Sequence, residues 1–151
     1  MTAGGNMNST NHYKHILVGL DLSKDCVHIL NKAALIADLF KADISVAHIV
    51  EPLAFAYGGD VPIDLTEAQK IMEQQATTRL AKIIDEVDVK TQAQYICIGQ
   101  TSHEIHRIAE THSMDLIVVG SHGRHGLAIQ FGSITKGVVQ NACCDVLAVK
   151  V

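Results

Sequence analysis

Val118-Val119-Gly120-Ser121-His122-Gly123-Arg124-His125-Gly126-Leu127-Ala128-Ile129-Gln130-Phe131-Gly132-Ser133-Ile134-Thr135-Lys136 begins as the end of a strand and finishes as the start of a helix. The apolar run Asp115–Val119 reads as a buried strand, and Ile134–Gln140 carries apolar residues at helical spacing. Between them lie four glycines (Gly120, Gly123, Gly126, Gly132) and two serines (Ser121, Ser133). Glycine admits positive φ and lets a backbone approach a ligand closely. A helix opening just after Gly132-Ser133 directs unpaired N–H groups and the positive end of its dipole at whatever lies in front. That combination suits a phosphate. The same glycines would also serve as plain turns in a long strand-to-helix connection.

The remainder of the chain repeats this alternation. His15–Leu20 is a short apolar strand. Lys24–Lys41 places Leu30, Ala33, Ala34, Ala37 and Phe40 at helical spacing, with Ser23 as the expected N-cap. Asp43–Val50 is a second strand. Glu51–Ile63, with Pro52, Gly58, Gly59 and Pro62, is a loop. Asp64–Val87 is a long amphipathic helix, and Thr91–Gly99 a third strand. Thr101-Ser102-His103-Glu104 has the form of a capping box opening a helix that runs to about His112. Asp145–Val151 is the last strand. Strands alternating with helices predict an α/β fold with a parallel sheet covered on both faces. In such a sheet ligands bind outside the carboxyl ends of the strands. The first, third and fourth strand ends carry glycine (Gly19, Gly99, Gly120), and the first adds the acid Asp21.

Composition narrows the function. At 151 residues the chain is one domain long, and 48% of it is hydrophobic, enough for a full core. Twelve Lys and Arg against sixteen Asp and Glu leave a net charge of −4, and no basic run occurs, so nucleic-acid binding is not expected. No apolar stretch approaches the roughly 18 residues of a membrane helix. Residues 1–12 read as a disordered polar tail without the features of a secretory leader, ahead of a domain over 13–151. Four cysteines, Cys26, Cys97, Cys143 and Cys144, form no C-x-x-C pair and fit a reducing cytoplasm. The vicinal Cys143-Cys144 pair also admits a redox role.

The chemical constellations point to binding. Neither the P-loop pattern nor G-x-G-x-x-G occurs. Asp21 is placed to accept ribose hydroxyls, to hold a metal bound to phosphate, or to cap the following helix. His103-Glu104-Ile105-His106 sets two histidines three apart, but a zinc site needs further ligands and none is evident. His122 and His125 are placed either to donate to phosphate or to face water. Ser121 and Ser133 have no G-x-S-x-G elbow and suit phosphate contact better than nucleophilic catalysis. No strong general base stands out, so no catalytic residue is assigned.

Four segments together resemble the universal stress protein family: Tyr13–Ser23, Ile44–Val50, Met114–Gly126 and Cys144–Val149. The resemblance spans about residues 13 to 151. It implies a three-layer sandwich with a five-stranded parallel sheet in the order 3-2-1-4-5. It also implies the nucleotide-binding branch, whose pattern is G-x-x-G, nine residues, then G-[ST]. Gly120, Gly123, Gly132 and Ser133 match its phosphate positions, with Arg124, His125 and Ile134 beside them. Asp21 matches the acid facing the ribose and metal, and Gly19, Leu20 and Ile49 fall where adenine is held. Between Gly123 and Gly132 this chain has eight residues rather than nine, a loss of at most about 3.6 Å of reach. The resemblance implies an adenine nucleotide (ATP or AMP, with or without Mg), a homodimer through the last strand, and a regulatory role in stress response with an unidentified protein partner. Its rivals are a slow ATP hydrolase using the same pocket and a ligand-free interaction module.

Overall fold

The computed structural model describes residues 12–52, 65–122 and 133–151. Along the chain it runs β1 (His15–Gly19), α1 (Cys26–Phe40), β2 (Asp43–Val50), α2 (Thr66–Val87), β3 (Ala93–Ile98), α3 (Thr101–Thr111), β4 (Leu116–Gly120), α4 (Ser133–Val139) and β5 (Asp145–Val149). The five strands form one sheet in the order β3-β2-β1-β4-β5, with every neighbouring pair parallel. This is the order that the family resemblance implies.

The central strands are apolar because both their faces are covered. Ile16 and Val18 of β1 and Leu116 and Val118 of β4 join the buried cluster under α1 and α2. Leu17, Ile117 and Val119 join the opposite cluster with Ile105, Ile108 and Ala109 of α3 and Val138 of α4. Ile16, Leu17, Ile117 and Val118 are wholly buried; each such side chain contributes about 1.5–3 kcal/mol as an upper estimate. The amino ends of β1 and β4 are pinned by one residue. The Asp115 carboxylate accepts the Lys14 N–H at 2.8 Å and the His15 N–H at 3.1 Å. The Asp115 N–H donates to the His15 carbonyl at 2.9 Å.

Two expected helix starts differ in detail. Ser23 is not the N-cap of α1; Asp25 holds that position, without a side-chain cap bond. Ser23 is used one step earlier: its hydroxyl accepts the Asp25 N–H at 3.3 Å and its carbonyl accepts the Cys26 N–H at 3.2 Å. The capping box at Thr101 does not form either. Gln100 is the N-cap, and the Thr101 hydroxyl donates instead to Glu51 at 3.4 Å. Glu104 turns to Arg107, 2.7 Å away, whose guanidinium draws the carboxyl below its ordinary range. An ion pair one helical turn away competes successfully with a neutral backbone donor. β5 ends at Val149 rather than Val151. Of the expected N-terminal tail, residues 1–11 lie outside the described residues, and His12 packs 5.9 Å from the Phe40 ring.

α1 and α2 each end on a non-glycine residue in the left-handed region, Lys41 at φ 54° and Asp88 at φ 56°. At Asp88 the strain is joined by a negative charge at the negative end of the helix dipole. The last turn of α2 carries no basic residue to offset it. Asp88→Gly is therefore expected to stabilise the fold by about 0.5–1 kcal/mol, despite glycine's greater freedom in the unfolded chain. Urea denaturation would show this as a higher midpoint, and a lower one would contradict it.

Candidate functional site

The chain runs outward from β1 to β3, crosses the sheet and returns at β4 beside β1. α1 leaves β1 toward one face, and the chain after β4 leads to α4 on the other. The connections leaving the two strands therefore run to opposite faces, which makes the carboxyl edge between them the switch-point crevice, the position at which ligands bind in open α/β sheets.

The β1 side of the crevice is rigid. The Leu20 N–H donates to the Ala47 carbonyl at 2.9 Å. The Leu20 carbonyl accepts from His48 Nδ1 at 2.8 Å, which places the imidazole proton on that nitrogen. Both polar backbone groups of Leu20 are thus tied to β2. A Cβ on Gly19 would lie 2.9 Å from Ile105 and 3.1 Å from Val119, so a side chain there would have to push both aside. Ile49 is buried in the cluster with Ile105.

Asp21 organises the turn into α1. Its Oδ1 accepts the Ser23 N–H at 2.9 Å and the Cys26 thiol at 3.4 Å. Burial, then the charge of Asp21, pushes the Cys26 thiol up to about 12, so it stays protonated and donates. The intervening Leu22 has φ 62° and is 4% exposed. The left-handed backbone costs about 1–2 kcal/mol; burying the leucine repays about 1.5–3 kcal/mol, so the turn persists. The helix-capping role foreseen for Asp21 thus takes the form of an aspartate turn preceding the helix.

On the β4 side, the Ser121 N–H donates to the Val149 carbonyl at 2.7 Å. The Ser121 hydroxyl, expected at a phosphate, accepts the Val151 N–H at 3.2 Å and fastens the chain beyond β5. A Cβ on Gly120 would lie 2.9 Å from Ile29. The Thr135 hydroxyl donates to the Gly120 carbonyl at 2.6 Å, and Thr135 is 2% exposed. α4 is docked on α3 by two more contacts: His106 Nε2 donates to the Val138 carbonyl at 2.8 Å, and a Cβ on Gly137 would lie 3.0 Å from Ser102. The two ends of the glycine-rich segment therefore meet, Gly120 at one end and the first turn of α4 at the other.

Of the residues expected here, the structure gathers Gly19, Leu20, Asp21 and Gly120 at the carboxyl edge. Ser133 is the first residue of α4 and Ile134 is half-buried against the second cluster. Gly123, Arg124, His125 and Gly132 lie outside the described residues. His122 Nδ1 is buried with no hydrogen-bond partner among the described residues. Those residues hold no group of three His, Cys, Asp or Glu able to enclose a metal. No helix among them is long and apolar enough to cross a membrane. Sequence reading missed Thr135, His48 and His106 as the residues that shape this edge. Thr135 alone carried a signal, as a hydroxyl in the first turn of the helix after the glycines.

The universal stress protein family model matches residues 12–150. Universal stress protein A homolog 1 of Coxiella burnetii is 39% identical over 140 residues, covering 91% of this chain and 96% of that protein. The solved structure of hypothetical protein MJ0577 is 27% identical with a TM-score of 0.78, covering 92% of this chain and 96% of the other. The crystal structure of a universal stress protein in complex with cAMP has a TM-score of 0.60 at 21% identity, covering 92% of this chain and 98% of the other. The chain belongs to the universal stress protein family.

The Thr135–Gly120 bond is the most direct tie between the two ends of the glycine-rich segment. Thr135→Val keeps the shape and removes the donor. It is expected to cost about 1–2 kcal/mol in chemical denaturation and to speed amide exchange in α4 ahead of the rest of the fold. An unchanged midpoint together with unchanged α4 protection would contradict this.

Proposed function

We propose that this member of the universal stress protein family binds an adenine nucleotide at the carboxyl edge of its sheet and acts as a dimeric regulatory module of the stress response in the cytoplasm. The observation that carries the reading is the bond that ties the two flanks of the glycine-rich segment together at the switch point. Thr135 joins the start of α4 to Gly120, opposite Asp21 across the β1–β4 crevice. A backbone rich in glycine between two such anchors suits a phosphate, and the buried His122 Nδ1, without a partner among the described residues, adds a polar atom at the same strand end. The cAMP held by one protein of this fold is itself an adenine nucleotide.

In this reading Gly120, Gly123, Gly132 and Ser133 hold the phosphates, with Arg124, His125 and Ile134 beside them. Asp21 faces the ribose, and Gly19, Leu20 and Ile49 border the adenine. Asp21 is the carboxylate at this edge suited to a magnesium ion, so most of such an ion's ligands would be phosphate oxygens and water. Binding in the ground state is the task of these groups; the sequence offers no strong base among them, so hydrolysis, where it occurs, is slow. Titration calorimetry with cAMP, AMP, ADP and ATP should give saturable heat for at least one of them, and Gly132→Val should abolish it while leaving the fold intact. No heat with any of the four, or ATP turnover above roughly 1 s⁻¹, would overturn the reading.

The dimer is assigned to the free edge of β5, where Leu147 remains 36% exposed. The Val149 carbonyl accepts from Ser121, the residue just after β4, and backbone groups on a parallel strand alternate in direction along its length. Ala148 therefore directs its N–H outward. Ala148→Pro should leave the β4–β5 ladder intact and convert the dimer to monomer in sedimentation; a parent chain that already sediments as a monomer would refute the assignment.

A further inference from the structure

The turn between α4 and β5 carries Cys143 and Cys144, both free thiols on adjacent residues. Cys143 is exposed. Cys144 is half-buried against the apolar cluster of α3 and α4. The two residues adjoin in the chain, so their Cα atoms are about 3.8 Å apart and both thiols belong to one turn. We propose that this pair is a two-thiol chelating site for a trivalent arsenical or antimonial bearing one organic substituent.

Coordination number excludes a structural zinc. A structural zinc needs four ligands, and no group of three His, Cys, Asp or Glu exists among the described residues. The other two cysteines cannot complete a set. Cys26 is buried on α1 and donates to Asp21. Cys97 lies on β3, at the opposite edge of the sheet from β5, about 19 Å away over four strand spacings. A direct disulfide is disfavoured as well. Adjacent Cα atoms across a trans peptide are about 3.8 Å apart, short of the roughly 4.4–6.8 Å that disulfides span. A monosubstituted arsenic(III) needs two sulfurs only, its third bond being to carbon, and it spans a wider gap between them than a sulfur–sulfur bond does.

The exchange balances without an oxidant. RAs(OH)2 and two thiols give RAs(SR′)2 and two waters: two As–S bonds form, two As–O bonds break, and each thiol proton leaves on an arsenic hydroxyl. Arsenic remains trivalent. Burial, then the neighbouring Cys143, pushes the Cys144 thiol up to about 12. That suppresses the thiolate chemistry of oxidation and disulfide exchange. It does not suppress an exchange in which the proton departs with the leaving hydroxyl. Cys143 is the accessible first attacker, and Cys144 closes the ring at high effective concentration.

The test uses the full chain and phenylarsine oxide, read by intact mass spectrometry and thiol titration. The expected result is one phenylarsenic group per chain, the loss of two titratable thiols, persistence in excess monothiol and release by a dithiol. Cys143→Ser, a change at an exposed position, and Cys144→Ala should each abolish the adduct, whereas Cys97→Ser should retain it. Thermal melts matched to the parent would confirm that the Cys143→Ser chain is folded. An adduct that survives Cys143→Ser, that monothiol strips from the parent, or that never forms overturns the proposal.

Discussion

The pairing of β1 with β4 is the constraint on which the structure depends. Ile16, Leu17 and Val18 lie in register with Leu116, Ile117 and Val118, although about a hundred residues separate the two strands. Both strands are buried on both faces, so a slip of one residue would exchange the contents of two apolar clusters. Asp115 guards the register at the amino end by binding three backbone groups of Lys14 and His15. The connections that leave the carboxyl ends of β1 and β4 run to opposite faces of the sheet, and the switch-point crevice follows from that topology.

Around the crevice, rigidity and strain are divided between its two sides. Leu20 is held through both its N–H and its carbonyl, and Gly19 has no space for a side chain. The strained backbone is at Leu22, where aspartate-turn hydrogen bonds and burial together outweigh its cost. On the β4 side, α4 spans only seven residues. A helix this short has little stability of its own; it is held by Thr135, by His106 and by the close approach of Gly137 to Ser102. The anchors of the glycine-rich segment are therefore tertiary contacts.

The periodicity of the sequence was sufficient for the alternation of strands and helices, because a strand buried on both faces reads as an unbroken apolar run and a covering helix as a stripe. Helix starts were less legible. Ser23 and the Thr101–Glu104 box have the residue types of caps. Yet Asp21 recruits Ser23 into a turn and Arg107 recruits Glu104 into an ion pair. A cap is a local preference worth about 1 kcal/mol, small enough for one neighbouring charge to redirect it.

The sequence by itself determined the fold class, the family and the strand ends Gly19 and Gly120 that reach the carboxyl edge, since strand ends follow directly from where apolar runs stop. Only the tertiary structure decided how that edge is built. His48 reaches Leu20 across a strand boundary, Ser121 turns from the crevice to Val151, and Thr135 closes on Gly120 fifteen positions earlier. Each of these bonds joins groups that become neighbours only after the sheet has assembled. No spacing along the chain encodes them, because the geometry that selects each partner is supplied by the packed strands and helices.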